Sequence, residues 1–112
     1  MSRYNLVVLS NPVEGREDEY NDWYDNQHLD DVLKVPGIIA AQRFRTTEAQ
    51  RVPDPAKWAY MCIYEIETDN LEDVIAEMTA RVGTERMPMS SAMSPDAFSY
   101  YFEPHAERKT KG

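Results

Sequence analysis

Residues 58–66, read as a strand, are apolar on both faces. Successive side chains on a strand point to opposite sides. Trp58, Tyr60, Cys62, Tyr64 and Ile66 therefore share one face, and Ala59, Met61 and Ile63 share the other. Residues 4–10 and 97–103 also read as strands with apolar side chains on both sides. A sheet with one wetted face shows polar alternation instead. The chain offers two helical stretches, which make one covering layer. The other face of the sheet calls for a second copy, so a homodimer packed sheet to sheet is expected.

The rest of the chain orders itself around these strands. After residues 4–10, Asn11-Pro12 breaks the first strand. Residues 16–35 read as a helix, in which Tyr20, Trp23, Tyr24, Gln27, His28 and Val32 fall on one face. Glu17, Asp18 and Glu19 load its first turn with negative charge, which suits the helix dipole. Pro36-Gly37 ends it. Residues 38–46 form the second strand, 47–57 a polar loop and 58–66 the third strand. Thr68-Asp69-Asn70 offers caps for a second helix, with Asp69 and Glu72 spaced as a capping box. Leu71, Val74, Ile75, Met78 and Val82 form its apolar stripe, and Gly83 stops it. A loop over 84–96 leads to the fourth strand, 97–103. The order βαββαβ predicts an α+β, ferredoxin-like domain over 1–103 with a four-stranded antiparallel sheet. Residues 104–112 read as a polar tail.

Composition excludes several functions. A formal net charge of −8 is a poor match to nucleic-acid phosphates and to anionic membranes, so neither is an expected partner. No apolar run is long enough to cross a bilayer, and the N-terminus shows no signal-peptide pattern, so a cytoplasmic protein is expected. Cys62 is the only cysteine, which leaves no intrachain disulfide. There is no glycine-rich phosphate loop, paired-cysteine zinc pattern or Gly-x-Ser-x-Gly. Asp25, His28 and Asp31 only approximately share a helix face, so no metal is expected. No other cofactor is expected either.

The chemistry-bearing candidate is His28, which shares the inward stripe with Tyr20 and Tyr24. Imidazole exchanges a proton near neutrality, and a buried pocket lined by aromatic rings would tune it. Asp25 and Asp31, at i−3 and i+3, are placed to orient the ring. A tyrosine beside the histidine would stabilise a developing oxyanion. Tyr24 and Tyr64 are the catalytic candidates. Tyr20, Trp23, Tyr60, Arg43 and Tyr100 are substrate-binding candidates, with Tyr101 an alternative to Tyr100. Arg43 and Arg45 share a face of the second strand and could meet a carboxylate. Cys62 reads as a small buried hydrophobe.

The stretch from Asn11 to Leu29 contains Trp23-Tyr24-x-x-x-His28-Leu29, followed by Val35-Pro36-Gly37 at the opening of the second strand. It resembles the dimeric α/β-barrel superfamily, and within it the EthD-like branch. The likeness covers residues 4–46, and the second half agrees in element order. Asp30 departs from the pattern, since relatives often carry proline after His-Leu. The resemblance implies a ferredoxin-like subunit and a small-molecule pocket between sheet and helices. It also implies acid/base use of His28, often without a cofactor. Such members include cyclases, isomerases, lyases, monooxygenases and haem-degrading enzymes. The leading expectation is a cofactor-independent lyase, cyclase or isomerase. It would act on an apolar, aromatic or carbonyl-bearing metabolite. The alternatives are a non-catalytic ligand-binding or stress-associated accessory protein, and a cofactorless monooxygenase.

Overall fold

The two-faced segments become four strands in the computed structural model, which describes residues 1–112. They are β1 (Ser2–Ser10), β2 (Ile38–Arg45), β3 (Tyr60–Thr68) and β4 (Phe98–Phe102). All neighbours are antiparallel, in the order β2-β3-β1-β4. The register sorts the side chains by face. Leu6 lies opposite Tyr64 and Tyr101, and Val8 opposite Cys62 and Ser99. Val7 lies opposite Ile63 and Tyr100, and Leu9 opposite Met61 and Phe98. The first set meets the helices and is the core. The second set forms an open face that no helix covers.

Trp58 lies ahead of β3 and escapes its alternation. Its ring packs edge-on against Phe98, 4.4 Å away, on the open side, and its indole N–H donates to the Asp96 carbonyl.

The first helical stretch has three parts. An α-helical part, α1 (Glu17–Trp23), runs into a π-helical turn (Tyr24–His28) and then into α2 (Leu29–Leu33). At the turn the Leu29 N–H reaches back to the Tyr24 carbonyl, one residue further than an α-helix allows. This turn has a use. Tyr20, Tyr24, His28 and Val32 are spaced by four, and each four-residue step in an α-helix overshoots a full turn by about 40°. One wider turn absorbs the overshoot, and all four side chains stay buried against the sheet. The same turn swings Gln27 out to solvent, which corrects its placement on the buried stripe.

The turn at Pro36-Gly37 requires glycine. Gly37 has φ +98°, and a β-carbon there would lie 2.9 Å from Val74 Cγ2. Its carbonyl accepts from the Glu67 N–H at 2.8 Å, tying the helix exit to β3. The second helical stretch, α3 (Leu71–Arg81), is capped by Asn70 rather than by Asp69. Asn70 Oδ1 accepts from the Glu72 N–H at 3.0 Å, so the expected capping box does not form. Val74 is buried, with Leu71 and Met78 packed beside it.

The loop over 84–96 closes the helix layer. Met87 and Ala92 are fully buried in the core. The Pro88 carbonyl accepts from the Trp23 indole at 3.0 Å. Residues 104–112 carry no helix or strand. No helix is long and apolar enough to cross a membrane.

Candidate functional site

The side chains picked out on the first helix do meet. The His28 ring stacks on Trp23, with centroids 4.5 Å apart and planes 26° off parallel. The Tyr24 ring stands edge-on to it at 5.2 Å. His28 is 7% exposed, and its Nδ1 is buried with no hydrogen-bond partner in the chain. Burial pushes the imidazole down to about 4, with Asp31 pulling it up and Arg43 adding to the decrease. The ring is therefore neutral at neutral pH, with one ring nitrogen free of a proton, and burial makes it a weaker base than free imidazole.

Neither flanking carboxylate holds the ring, contrary to expectation. Asp25 is turned to Arg43, and Asp31 reaches Lys34 at 3.8 Å through Oδ1. Asp31 Oδ2 is buried without a partner, so it acts on His28 through its charge alone.

Below the helix, Tyr24 faces Tyr64 and Cys62 of β3. Burial raises the Tyr24 hydroxyl far above the ordinary phenol range, and Tyr64 likewise. Both stay protonated at any ordinary pH and so keep an O–H to donate. The Tyr64 hydroxyl is buried and makes no close hydrogen bond, with the Tyr24 hydroxyl and the Cys62 thiol near enough to push it further up. An unpaired buried donor is uncommon and costs stability, so it marks a place of interest. Tyr20 is satisfied, bonded to the Ser10 hydroxyl at 2.6 Å.

Arg43 extends this cluster to the sheet edge. Its guanidinium lies 4.1 Å from the Tyr24 ring centre, 5.0 Å from Tyr60 and 5.2 Å from Tyr20. Nη1 donates to Asp25 at 2.7 Å and Nη2 to Asn21 at 3.0 Å. Such a caged, paired cation is held in one geometry. The Tyr60 hydroxyl donates to Glu17 at 2.5 Å and accepts from Asn21 at 3.1 Å. Glu17 thus does more than load the first turn with charge, the role that the sequence suggests for it. Asn21 is not singled out from sequence. Its spacing of four from Glu17 on α1 was the available signal, since it puts both on the flank beside Tyr20.

Two expectations fail. Tyr100 lies across the sheet from His28, 61% exposed on the open face, opposite Val7. Its neighbour Tyr101 takes the inward position, opposite Leu6. The second failure is the pocket. None of the five main cavities is lined by His28. The nearest connection is a cavity of about 400 Å³ bounded by Asn21, Asp25, Arg43, Phe44, Arg45 and Tyr60. Arg43 lines it, and Arg43 meets His28 only through the Tyr24 ring.

No protein-family model and no curated protein matches the chain. Solved structures do. An EthD-like protein from Ralstonia eutropha superposes with a TM-score of 0.62 at 14% identity, over 96% of each chain. A candidate monooxygenase from Shewanella loihica gives 0.60 at 13% identity, over 96% of this chain and 99% of its own. A variant of MhuD with two manganese protoporphyrin IX molecules in each active site gives 0.61 at 15% identity, over 96% and 99%. The α+β, ferredoxin-like fold of EthD-like proteins is the fold of this chain.

Proposed function

We propose that the chain is a small-molecule enzyme in which His28 accepts a proton and Tyr24 and Tyr64 donate hydrogen bonds to the oxyanion that forms. The observation that carries this reading is the geometry of one buried cluster. The His28 ring, with its Nδ1 unpartnered, stands edge-on to Tyr24 at 5.2 Å, and Tyr24 faces Tyr64, whose hydroxyl makes no close hydrogen bond. A proton acceptor thus lies beside two phenolic donors. The substrate C–H or O–H proton moves to the imidazole, and the electron pair left behind is delocalised onto oxygen. Tyr24 and Tyr64 hold that oxygen, and the buried Asp31 carboxylate stabilises the imidazolium. No cofactor takes part. Trp23, Tyr20, Tyr60 and Arg43 shape and bind. The open sheet face is covered by a second copy of the chain.

The anion so formed can lose a group, cyclise or isomerise. It can also react with dioxygen, a fate favoured by the monooxygenase name of one fold relative. All begin with the same proton transfer. The test is His28→Ala on enolisable carbonyl and phenolic substrates. The expected loss in kcat is about 10²–10⁴-fold, as for removal of a general base. Unchanged turnover would sink the reading. Oxygen uptake during turnover separates oxygenation from the lyase and isomerase outcomes.

A second reading has its own observation, that none of the main cavities is lined by His28. It makes the protein a ligand-binding accessory in which the cluster is packing. Binding that survives His28→Ala, with no conversion by either protein, favours it.

A further inference from the structure

We propose that the cavity between α1 and the edge strand β2 binds a small carboxylate with a planar apolar body, and that Arg45 is its anchor. The two arginines that share a face of β2 differ in one respect. Both terminal nitrogens of Arg43 are taken by Asp25 and Asn21 and its guanidinium is caged by three tyrosine rings, which leaves only its buried Nε without a partner. Arg45 lines the same cavity, is exposed, and makes no ion pair or side-chain hydrogen bond. A guanidinium presents a fork that fits a carboxylate in two parallel bonds.

The setting favours an anion. The charged groups lining the cavity are Arg43, Arg45 and Asp25, a net charge of +1 in a chain of net −8. Such a local reversal of sign concentrates anions where the rest of the surface repels them. The size is right, since about 400 Å³ lies within the range of small-molecule sites, roughly 300–1,000 Å³. The Tyr60 ring supplies an apolar wall, while Phe44 borders the cavity at the strand edge between the two arginines, its alternation placing it with Met61 on the open face. The Tyr60 hydroxyl is held away by Glu17, so the ring rather than the O–H meets the ligand. Asp25 and Glu17 both oppose an incoming carboxylate. Asp25 is the weaker-held group, with its side chain 54% exposed against 10% for Arg43.

This site stands whether or not His28 moves a proton. The test uses the full chain with benzoate as the probe and benzyl alcohol as its neutral counterpart, read by calorimetry. Benzoate binds saturably and benzyl alcohol does not. Arg45→Gln weakens benzoate about tenfold or more, the worth of one charge-assisted hydrogen bond. Arg45→Lys, which keeps the charge and loses the fork, falls between. Asp25→Asn tightens binding by removing a competing charge. His28→Ala binds benzoate as the wild type does, so a failure of the His28 reading leaves this result untouched. Arg45 is a surface side chain, and an unchanged circular dichroism spectrum confirms that its variants fold. Equal binding by wild type and Arg45→Gln, equal binding of the alcohol, or no saturable binding by the wild type each overturns the proposal.

Discussion

The two faces of the sheet are built from the same kinds of residue and end in different states. Tyr64 and Ile66 on one side of β3 are almost wholly buried, under the first helical stretch and α3. Met61 and Ile63 on the other side are half-exposed, with Phe98, Tyr100 and Phe102 of β4 alongside. The difference lies in what the chain can supply as cover, not in the strands. Hydrophobicity therefore tells how much surface must be buried, and the helix count tells how much is buried within one chain.

Four measurements test this difference between the faces. The largest effect is expected from Ile66→Ala, about 2–5 kcal/mol of unfolding free energy by urea titration, because the site is fully enclosed. A loss below about 1 kcal/mol would mean that the covered face is not the core.

Next comes pH. The His28 imidazole titrates at about 4 in the folded chain and 6.5 when unfolded. Between those values the unfolded chain binds the extra proton. His28 thus contributes stability that is full above pH 6.5, falls as the pH drops toward 4, and changes no further below. The swing is up to about 3 kcal/mol. His28→Phe should remove that part of the acid sensitivity, measured as the difference between two stability–pH curves.

Ile63→Ala, on the open face, should cost about 1 kcal/mol in dilute solution. At higher concentration a dimer adds to that cost, because burial by a second copy depends on concentration. A cost independent of concentration would argue that the face stays bare.

The smallest effect has the opposite sign. Tyr64→Phe removes a buried hydroxyl with no partner, so stability should rise by about 1 kcal/mol while turnover falls. A loss of stability would show that the hydroxyl is satisfied.

The same contrast explains what was legible in the sequence. Element order and the face assignments along β1 and β3 follow from period-two alternation and need no tertiary information. β4 does not yield to this, because Phe98, Tyr100, Tyr101 and Phe102 place aromatic rings on both sides. Pattern alone could not choose between Tyr100 and Tyr101, and only pairing with Leu6 settles it. The cluster of Tyr20, Tyr24 and His28 was visible as helical spacing. Its partners were not. The Pro88 carbonyl on Trp23 and Asp25 on Arg43 are contacts between distant segments, and no periodicity encodes them. That no main cavity reaches His28 goes with the close packing of Trp23 and Tyr24 on its ring, which a residue list does not contain.

The π-helical turn carries one residue more than an uninterrupted buried stripe requires. Deleting one of Asp25, Asn26 or Gln27 turns the stretch into an uninterrupted α-helix. At about 100° per residue, Tyr20, Tyr24 and Val32 would still fall within about 40° of one another on the sheet side. His28 would move to about 60° from Tyr24 but lie only about 20° from Tyr20 and about 40° from Val32, still on the sheet side. Trp23 and His28 would then stand four residues apart, as neighbours on one face. The chain would keep both its core and its imidazole, and what the deletion would alter is the angle between His28 and Tyr24.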